Sequence, residues 1–326
     1  MSRKAWVLLP ALLSMFLCAT FSFSQAKQYS FYVVAHGGPS DPYWARVMRG
    51  MEEAAAMINA NGADHVKAVY LAPTQYSVAQ FLEMLNSAID SRPDGIVVSM
   101  PDYTAEDAPL RAAISKGIPV IAIDLPDPRA ANQRIPYQCF VGADLYLYAK
   151  AAAAKVLAVR KPKRAVVFIH EVGNKGLEVQ AQGFIDAMAK AGVPAERLAT
   201  GLDPSQALEI ARGYFSKHPE TDAIFSLGPL GNQPAITYIH EEHLEGKVIL
   251  GCKDFDVLTL KAIQDGTALF TLVPQQYLMG YIPIQFLYLQ KKYGFKMPEQ
   301  EIITGPTWVD SSNVALVAPL VERGYW

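Results

Sequence analysis

The amino-acid sequence predicts an α/β protein built from two open, parallel β-sheets. Short runs rich in Val and Ile alternate with stretches whose apolar residues recur at helical spacing, which is the pattern of βαβ units. This alternation stops at a Pro-rich segment, 125–140, and then begins again. The chain has 326 residues, of which 51% are hydrophobic, and this is enough apolar material for two cores.

The first run of the alternation contains four predicted strands and three predicted helices. The strands are 29–36, 66–72, 94–100 and 118–124, and the helices are 43–60, 77–90 and 106–117. Because a helix separates each strand from the next, the strands are expected to pair in parallel and the crossovers to be right-handed.

The second run begins with a helix and repeats the pattern. Its predicted strands are 164–170, 221–228, 247–254 and 268–274, and its helices are 144–159, 177–192, 204–218, 233–244, 257–266 and 277–293. The tail, 303–317, is expected to return as a strand and a turn. Two runs of βα units therefore predict two sheets rather than one.

The N-terminus has the features of a secretory signal peptide. Arg3 and Lys4 precede the largely apolar stretch 5–23, and the small-x-small site at 24–26 suits cleavage. Residues 1–26 are therefore predicted to be removed, and the mature chain is expected to start at Lys27.

The three cysteines help to define the compartment. Cys18 lies inside the signal peptide, and residues 15–17 lack the small residue that a lipoprotein signal places before its cysteine. A lipid-free protein is therefore expected in a periplasm, where an outer membrane retains it. Cys139 and Cys252 lie far apart in sequence and give no disulfide framework.

Charge and hydropathy exclude two classes of partner. The formal net charge is −2, and the densest basic run, 160–164, is short, so no attraction to nucleic acid is expected. Beyond the signal peptide, segment 277–290 comes nearest to a membrane span. Its Gly, Pro and Gln residues suit a buried amphipathic helix better.

Known catalytic and metal motifs are missing from the sequence. It contains no Walker loop, no HExxH and no GxSxG. The Gly-rich segment 36–40 opens a helix and could hold an anion, but it lacks dinucleotide-binding spacing. His240 and His243 stand three apart on one helix, where a solvated charged face is favoured over a metal pair. Neither an enzyme, a cofactor nor a metal is expected.

The strand ends predict where a ligand binds. In open α/β sheets, ligands bind outside the carboxyl ends of the strands. These ends are His36, Ala72, Met100, Asp124, His170, Gly228 and Asp254. If the two sheets face each other, the loops that follow would line a cleft between two lobes, which is a favoured small-molecule site.

Seven stretches occur in one order along nearly the whole mature chain. They are "SDPYWARVMRGMEEAA", "RPDGIVVSMPD", "AAISKGIPVIAID", "GNKGLEVQAQGFIDAM", "HPETDAIFSLGP", "VILGCKDFDVLTLKAIQDG" and "TGPTWVDSSNV". No single stretch is specific. Together they resemble the periplasmic sugar-binding proteins of the ribose/galactose type, the substrate-binding subunits of ABC importers.

The resemblance implies the type I periplasmic binding protein fold, in which two similar Rossmann-like lobes are joined by a three-strand hinge. The lobes would be discontinuous. The N-terminal lobe would comprise 27–143 plus 272–302, and the C-terminal lobe 144–271 plus 303–326. Repressor relatives carry an N-terminal helix-turn-helix where this chain has a signal peptide, which argues against DNA binding.

The resemblance also implies a function. A sugar or sugar-like molecule would bind in the cleft, the hinge would close, and a monomeric protein would deliver the ligand to an ABC permease in the inner membrane. A ligand-sensing receptor that serves a chemoreceptor or a sensor kinase is the alternative. A periplasmic enzyme is less favoured.

Three residues around the first helix start match the family's ligand contacts. Tyr43 and Trp44 match its aromatic pair, and an aromatic face packs against the C–H face of a sugar ring. Trp44 could instead pack into the core. Asp41 could accept from two ligand hydroxyls, or it could cap the helix that begins at Pro42.

Two further aspartates match cleft residues of the family. Asp124 and Asp254 end strands in opposite lobes, as a closing clamp requires, although each could simply cap a following turn. The remaining expected ligand contacts are His36, Met100, Asp102, Asn174, Glu178, Gly228 and Gln275. His36 could instead be a structural histidine.

The chain departs from ribose-type relatives at several cleft positions. These are Leu125 and Glu178 in place of arginine, Gly228-Pro229 in place of Asn-Asp, and Leu272 in place of glutamine. Losing two guanidiniums removes planar donor forks, so the pocket should not copy a ribose site. A less polar or larger sugar-like ligand is expected, or one with a positive group near Asp41, Glu178 or Asp254.

Overall fold

The fold is described from a computed structural model that covers residues 26–62 and 64–325. The rest of the predicted signal peptide, with Cys18, lies outside the described residues. Within them the chain forms two six-stranded sheets. No helix of the described part combines the length and the apolar character needed to cross a bilayer.

The first sheet is built mainly from the first half of the chain. Its elements are β1 (Gln28–Val34), α1 (Pro42–Asn61), β2 (His65–Leu71), α2 (Val78–Asp90), β3 (Gly95–Ser99), α3 (Tyr103–Ser115), β4 (Val120–Ile123) and β5 (Cys139–Gly142). Phe31 and Val33 of β1 face α1, whereas Val34 packs with α2 and α3 on the other face. Such a sheet is buried on both sides, as parallel sheets are.

The second half of the chain repeats this arrangement. Its elements are α4 (Leu145–Val159), β6 (Ala165–Ile169), α5 (Lys175–Lys190), β7 (Ala195–Ala199), α6 (Pro204–Lys217), β8 (Ala223–Leu227), α7 (Pro229–Glu241), β9 (Ile249–Lys253), α8 (Val257–Gln264) and β10 (Ala268–Val273). The last elements are α9 (Gln276–Tyr293), β11 (Glu301–Ile303), β12 (Thr307–Asp310) and α10 (Val314–Glu322).

The strand orders confirm two parallel-rich sheets. They are β11-β5-β4-β3-β1-β2 in the first sheet and β12-β10-β9-β8-β6-β7 in the second. All neighbours pair in parallel except β10 and β12, which are antiparallel. Both sheets therefore place the carboxyl ends of their parallel strands at one edge, where ligands bind in open α/β sheets.

The chain passes between the two sheets three times, in agreement with the predicted three-strand hinge. The crossings follow β5, β10 and β11. Leu272 and Val273 pair with β12 and so belong to the second sheet, whereas Ile303 pairs with β5 of the first. We therefore propose that the lobes meet at 143–144, 274–275 and 304–306.

Four elements differ from the sequence prediction. One is β11, a short strand beside β5 that precedes the predicted tail strand. β7 is an edge strand whose "AERLA" sequence has no apolar run, because it contacts the sheet only through β6. β5 begins at the end of the Pro-rich segment, and its four residues are all buried. The tail continues into α10, beyond the predicted strand and turn, because Val314, Val317 and Val321 form an apolar helical face.

Close contact between α1 and α9 attaches the segment after the second crossing to the first lobe. A Cβ atom added at Gly280 would lie 1.9 Å from the carbonyl oxygen of Val47, and one at Gly50 would lie 2.0 Å from that of Tyr277. Only glycine allows the two helix backbones to approach this closely.

We predict that Gly280→Ala destabilises the protein by about 1–3 kcal/mol or more, because the added methyl group must push α1 and α9 apart. Gly213→Ala is the matched control, since Gly213 lies in α6 with open space around its Cα. It should raise the free energy of unfolding by about 0.5–1 kcal/mol. Chemical denaturation measures both. A Gly280→Ala protein as stable as wild type would contradict the close packing.

Candidate functional site

Strand ends of the two sheets meet around a cavity of about 30 Å3 between the lobes. The loops after β1, β4, β6, β8 and β9 contribute its walls. Its lining residues are His36, Asp41, Tyr43, Trp44, Asp124, Leu125, His170, Glu171, Asn174, Leu177, Gly228, Pro229, Lys253 and Asp254. Five of the seven predicted strand ends are therefore in this cavity.

Tyr43 and Trp44 lie in the wall that belongs to the first lobe. Their exposed fractions are 5% and 2%, and their rings meet edge to face at 4.9 Å. They are held there by the start of α1, where Asp41 accepts a hydrogen bond from the backbone N–H of Tyr43 at 2.8 Å. Asp41 therefore caps the helix and also lines the cavity. Trp44 likewise belongs to the cavity wall and to the core of the first lobe.

Asp124 and Asp254 occupy equivalent positions in the two lobes. Each follows a buried strand, β4 or β9, and each has a left-handed backbone, with φ of 58° and 56°. This conformation is uncommon for residues other than glycine and is concentrated at functional sites. The hydroxyl of Tyr43 donates to Asp124, and Lys253 Nζ lies 3.0 Å from Asp254 Oδ2.

A buried histidine connects the two lobes at the cavity. Nε2 of His36 lies 3.9 Å from Asp124 Oδ2 and 3.6 Å from Glu171 Oε2. His36 Nδ1 forms a hydrogen bond of 2.8 Å with Ser99 Oγ, which fixes the ring. Asn174 donates to Glu171 at 2.6 Å and also caps α5. The cavity therefore holds polar groups from both lobes within reach of one ligand.

Desolvation changes the charge state of these groups. Burial raises the pKa of Glu171 to about 8 and that of Asp254 to about 6, and it also raises the pKa of Asp124. Burial, together with the positive charge of Lys253, lowers the pKa of His36 to about 3. Near neutral pH this histidine is therefore uncharged.

Lys253 remains a cation in spite of its burial. Desolvation alone would lower its pKa, but Asp254, Asp124 and Glu171 outweigh that effect and raise it. The ammonium group also lies 5.1 Å from the centre of the Tyr43 ring, a cation–π contact across the cleft.

Four predicted ligand contacts lie outside this cavity. Met100 lines a second cavity of about 230 Å3 near the hinge, and Asp102 caps α3 and forms an ion pair with Lys175 of the other lobe. Gln275 donates to the carbonyl oxygen of Thr304 at 2.7 Å, within the hinge.

Glu178 is the fourth of these residues. It is ion-paired with Arg197 at 2.7 Å, and its side chain is 45% exposed. Its carboxylate pairs with Arg197 of the edge strand β7, and Glu178 is not among the residues that line the cavity. The substitution of glutamate for the relatives' arginine therefore adds no carboxylate to the cavity wall.

The sequence prediction missed several lining residues, above all Lys253, His170 and Glu171. The sequence does contain a signal for these residues. In "VILGCKD" and "AVVFIHE", charged or polar residues stand at the carboxyl end of an otherwise apolar buried strand. The sequence analysis names His170 and Asp254 as the ends of these two strands and predicts a ligand contact for Asp254, but it gives no ligand role to Lys253, His170 or Glu171.

The lobes contact each other directly around the cavity. The backbone N–H of Lys175 donates to the carbonyl oxygen of Pro101 at 3.2 Å, and the guanidinium of Arg46 lies 4.4 Å from the centre of the Phe255 ring. Gln276, which follows the second crossing, donates to Asp254 at 2.8 Å. The structure therefore shows the cleft closed, with room for only about two water molecules. A sugar-sized ligand requires the two lobes to stand further apart than they do here.

One histidine of the pair considered for metal binding has another partner. His240 Nδ1 lies 2.9 Å from Glu245 Oε1. Within residues 26–62 and 64–325, no group of three or more His, Cys, Asp or Glu side chains is arranged to hold a metal ion.

The fold and the cleft define a two-lobe binding protein whose site lies between its lobes. The family described as "Periplasmic binding protein domain" matches residues 31–294, which is most of the chain. The protein belongs to this family, which is one of binding proteins and not of enzymes. The resemblance to periplasmic sugar-binding proteins seen in the sequence is thereby confirmed.

Individual relatives agree with this membership. The xylose/arabinose-binding protein XylF of Sulfolobus acidocaldarius is 23% identical over 286 residues, which cover 84% of this chain and 69% of that protein. A crystal structure described as a periplasmic sugar-binding protein of an ABC sugar transporter, from Legionella pneumophila, is 28% identical. It covers 85% of this chain and 99% of its own, with a TM-score of 0.76.

A carbohydrate transporter protein from Acidothermus cellulolyticus, solved in complex with myo-inositol, has the same fold. The match covers 91% of this chain and 99% of that one, at 24% identity and a TM-score of 0.80.

We predict that Glu171→Gln stabilises the ligand-free protein more at pH 8 than at pH 5. An unfolded glutamate has a pKa of about 4.3, whereas burial raises the folded value to about 8, so the folded state holds a proton that the unfolded state releases. Wild type therefore loses stability as pH rises between these values, by up to about 1.4 kcal/mol per pH unit. Glutamine avoids this loss.

Urea unfolding at the two pH values measures the difference. Glu83→Gln, on the exposed surface of α2, is the control and should show no such gain. An equal effect of Glu171→Gln at pH 5 and pH 8 would contradict the proposed burial of the carboxyl group.

Proposed function

We propose that this protein is the periplasmic substrate-binding subunit of an ABC importer and that its ligand is a sugar or a sugar-like molecule. The observation that carries the proposal is the cavity between the lobes. Aromatic rings and carboxyl groups of the first lobe face carboxyl, amide and ammonium groups of the second lobe across it.

The chemistry of these groups suits a polyhydroxylated guest. The carboxylates of Asp124 and Asp254 can each accept hydrogen bonds from two hydroxyl groups, and Asn174 and Lys253 can donate to hydroxyl oxygens. The rings of Tyr43 and Trp44 offer apolar surface for the C–H face of a sugar ring. We propose these six residues, with His36, Asp41, His170, Glu171 and Gly228, as the ligand contacts.

Closure follows from the position of these contacts. A ligand that enters an open cleft touches one lobe, and it gains the contacts of the other lobe only when the hinge closes. Because the closed form binds the ligand better, the ligand shifts the population toward that form. The second cavity, beside the hinge, and the ion pair between Asp102 and Lys175 also lie between the lobes and would change with closure.

The relatives support the choice of ligand class. One is named for binding xylose and arabinose, one is described as a sugar-binding protein, and one was solved with the polyol myo-inositol. All three ligands or ligand classes present several neighbouring hydroxyl groups. We further propose that the signal peptide is cleaved and that the mature protein is a periplasmic monomer without a cofactor. Its proposed partner is an ABC permease.

Isothermal titration calorimetry of the purified mature chain, residues 27–326, tests the proposal. The ligands are D-xylose, L-arabinose, D-galactose, D-glucose and myo-inositol. At least one of these or a related sugar should bind, raise the melting temperature with concentration and decrease the radius of gyration in small-angle scattering. Chemical conversion of a bound sugar would contradict a binding function, and a panel without any binder would contradict a sugar ligand.

We predict that Asp124→Asn lowers the affinity for the bound sugar by about 10- to 100-fold, because a hydrogen bond to a charged acceptor contributes about 1.5–3 kcal/mol. The amide oxygen can still accept from Tyr43, so the fold should be retained. Asp90→Asn, at the exposed end of α2, is the matched control and should bind as wild type does. Equal affinities of the two variants would remove Asp124 from the ligand contacts.

A further inference from the structure

The cavity wall carries more acidic than basic side chains. Asp41 and Asp124 of the first lobe and Glu171 and Asp254 of the second lobe place four carboxyl groups on it. Lys253 is the single lysine or arginine among the lining residues. The neighbouring Arg46 lies outside the lining, where it donates to the carbonyl oxygen of Pro42 and stacks on Phe255. Its positive charge acts on Asp41 and Asp254 from there, but it does not reach Asp124 or Glu171 in the same way.

Lys253 already forms an ion pair with one of the four carboxyl groups. Lys253 Nζ lies 3.0 Å from Asp254, which also accepts from Gln276 at 2.8 Å. The hydrogen bonds that the other three carboxyl groups accept in the described residues come from neutral donors. Glu171 accepts from the amide of Asn174, Asp124 from the hydroxyl of Tyr43, and Asp41 from the backbone N–H of Tyr43.

A buried nitrogen in the same wall also lacks a partner. His170 is 7% exposed and lines the cavity, and its Nδ1 has no hydrogen-bond partner within the described part of the chain. A buried polar group without a partner is costly, and a polar ligand would supply that partner. We therefore expect the ligand to form a hydrogen bond with His170 as well as to balance the charge of the carboxyl groups.

Burial of carboxyl groups without a counter-charge is unfavourable, whereas a cation bound between them is stabilised by each. The faces of Tyr43 and Trp44 would add cation–π attraction, as the Tyr43 ring already does for Lys253. An anionic ligand would instead meet four acidic groups and one cation that is already paired. The charge balance therefore favours a positively charged guest.

We infer that the preferred ligand is a polyhydroxylated compound that carries a protonated amino group, such as an amino sugar or an amino polyol. The inference rests on the proposed function and narrows its ligand class. The ammonium group binds between Asp124 and Glu171, which belong to different lobes and both lie within 4 Å of Nε2 of His36. The charge that the ligand brings then holds the lobes together.

Matched ligand series test this inference by calorimetry at pH 7. One series is D-glucose, D-glucosamine and N-acetyl-D-glucosamine, and a second is the corresponding galactose set. A third compares sorbitol with 1-amino-1-deoxysorbitol. In at least one series the amine should bind 10-fold or more tightly than the hydroxyl compound. In the two sugar series, the N-acetyl compound carries its substituent at the same position but has no positive charge, so it should bind more weakly than the amine.

The possible outcomes separate the inference from the proposed function. Neutral sugars that bind as tightly as their amines, or more tightly, would overturn the inference and leave the sugar-binding function in place. If no member of any series and no sugar of the wider panel bound, the proposed function would fail and the inference with it.

Two variants test where the ammonium group of the ligand binds. In Glu171→Gln and Asp124→Asn, the ratio of amine to hydroxyl affinity should fall by 10-fold or more, because the amide that replaces each carboxyl group cannot ionise beside the ammonium group. Glu171 holds a proton near neutral pH in the ligand-free protein, and it releases this proton when the ammonium group binds. Glu83→Gln on the surface should leave the ratio unchanged. A ratio that persisted in the double variant would show that the ammonium group does not bind between these two residues. Urea unfolding of each variant confirms that it is folded.

Discussion

The site depends on the desolvation of charged groups at the ends of buried parallel strands. Parallel strands are covered on both faces, so their interiors are apolar and their carboxyl ends are the places where polar side chains can gather. Here two such edges face each other, and Lys253, Asp254, Asp124 and Glu171 are buried together. Each of these groups is stable there only because the opposite lobe or a ligand supplies partners.

Hydrogen bonds and helix packing connect the buried site to the hinge. Gln276 donates to Asp254 directly after the second crossing, and Gln275 before it holds a left-handed backbone with φ of 57°. The helix α9, which begins at Gln276, packs on α1, and the first turn of α1 carries Tyr43 and Trp44 in the cavity wall. Contiguous contacts therefore link Asp254 to the second crossing and to the aromatic wall.

Most of the fold could be predicted from the sequence because buried strands and amphipathic helices leave strong patterns. Exceptions such as β7 lie at a sheet edge, where partial exposure removes the apolar run. For the site, strand-end position identified His36, Asp124, Gly228 and Asp254, all of which line the cavity. Sequence position could not show that α5 turns Glu178 outward, because helix rotation is set by packing.

Leu125 illustrates how one substitution alters the character of the cleft. It packs against Gly176 of the other lobe so closely that a Cβ atom there would lie 2.2 Å from its side chain. An arginine at this position, as in the ribose-type relatives, would bring a second cation beside Asp124. With leucine, the contact between the lobes is apolar, and this position adds no cation beside Asp124. Shape and charge at this point of the cleft are therefore set by the same residue.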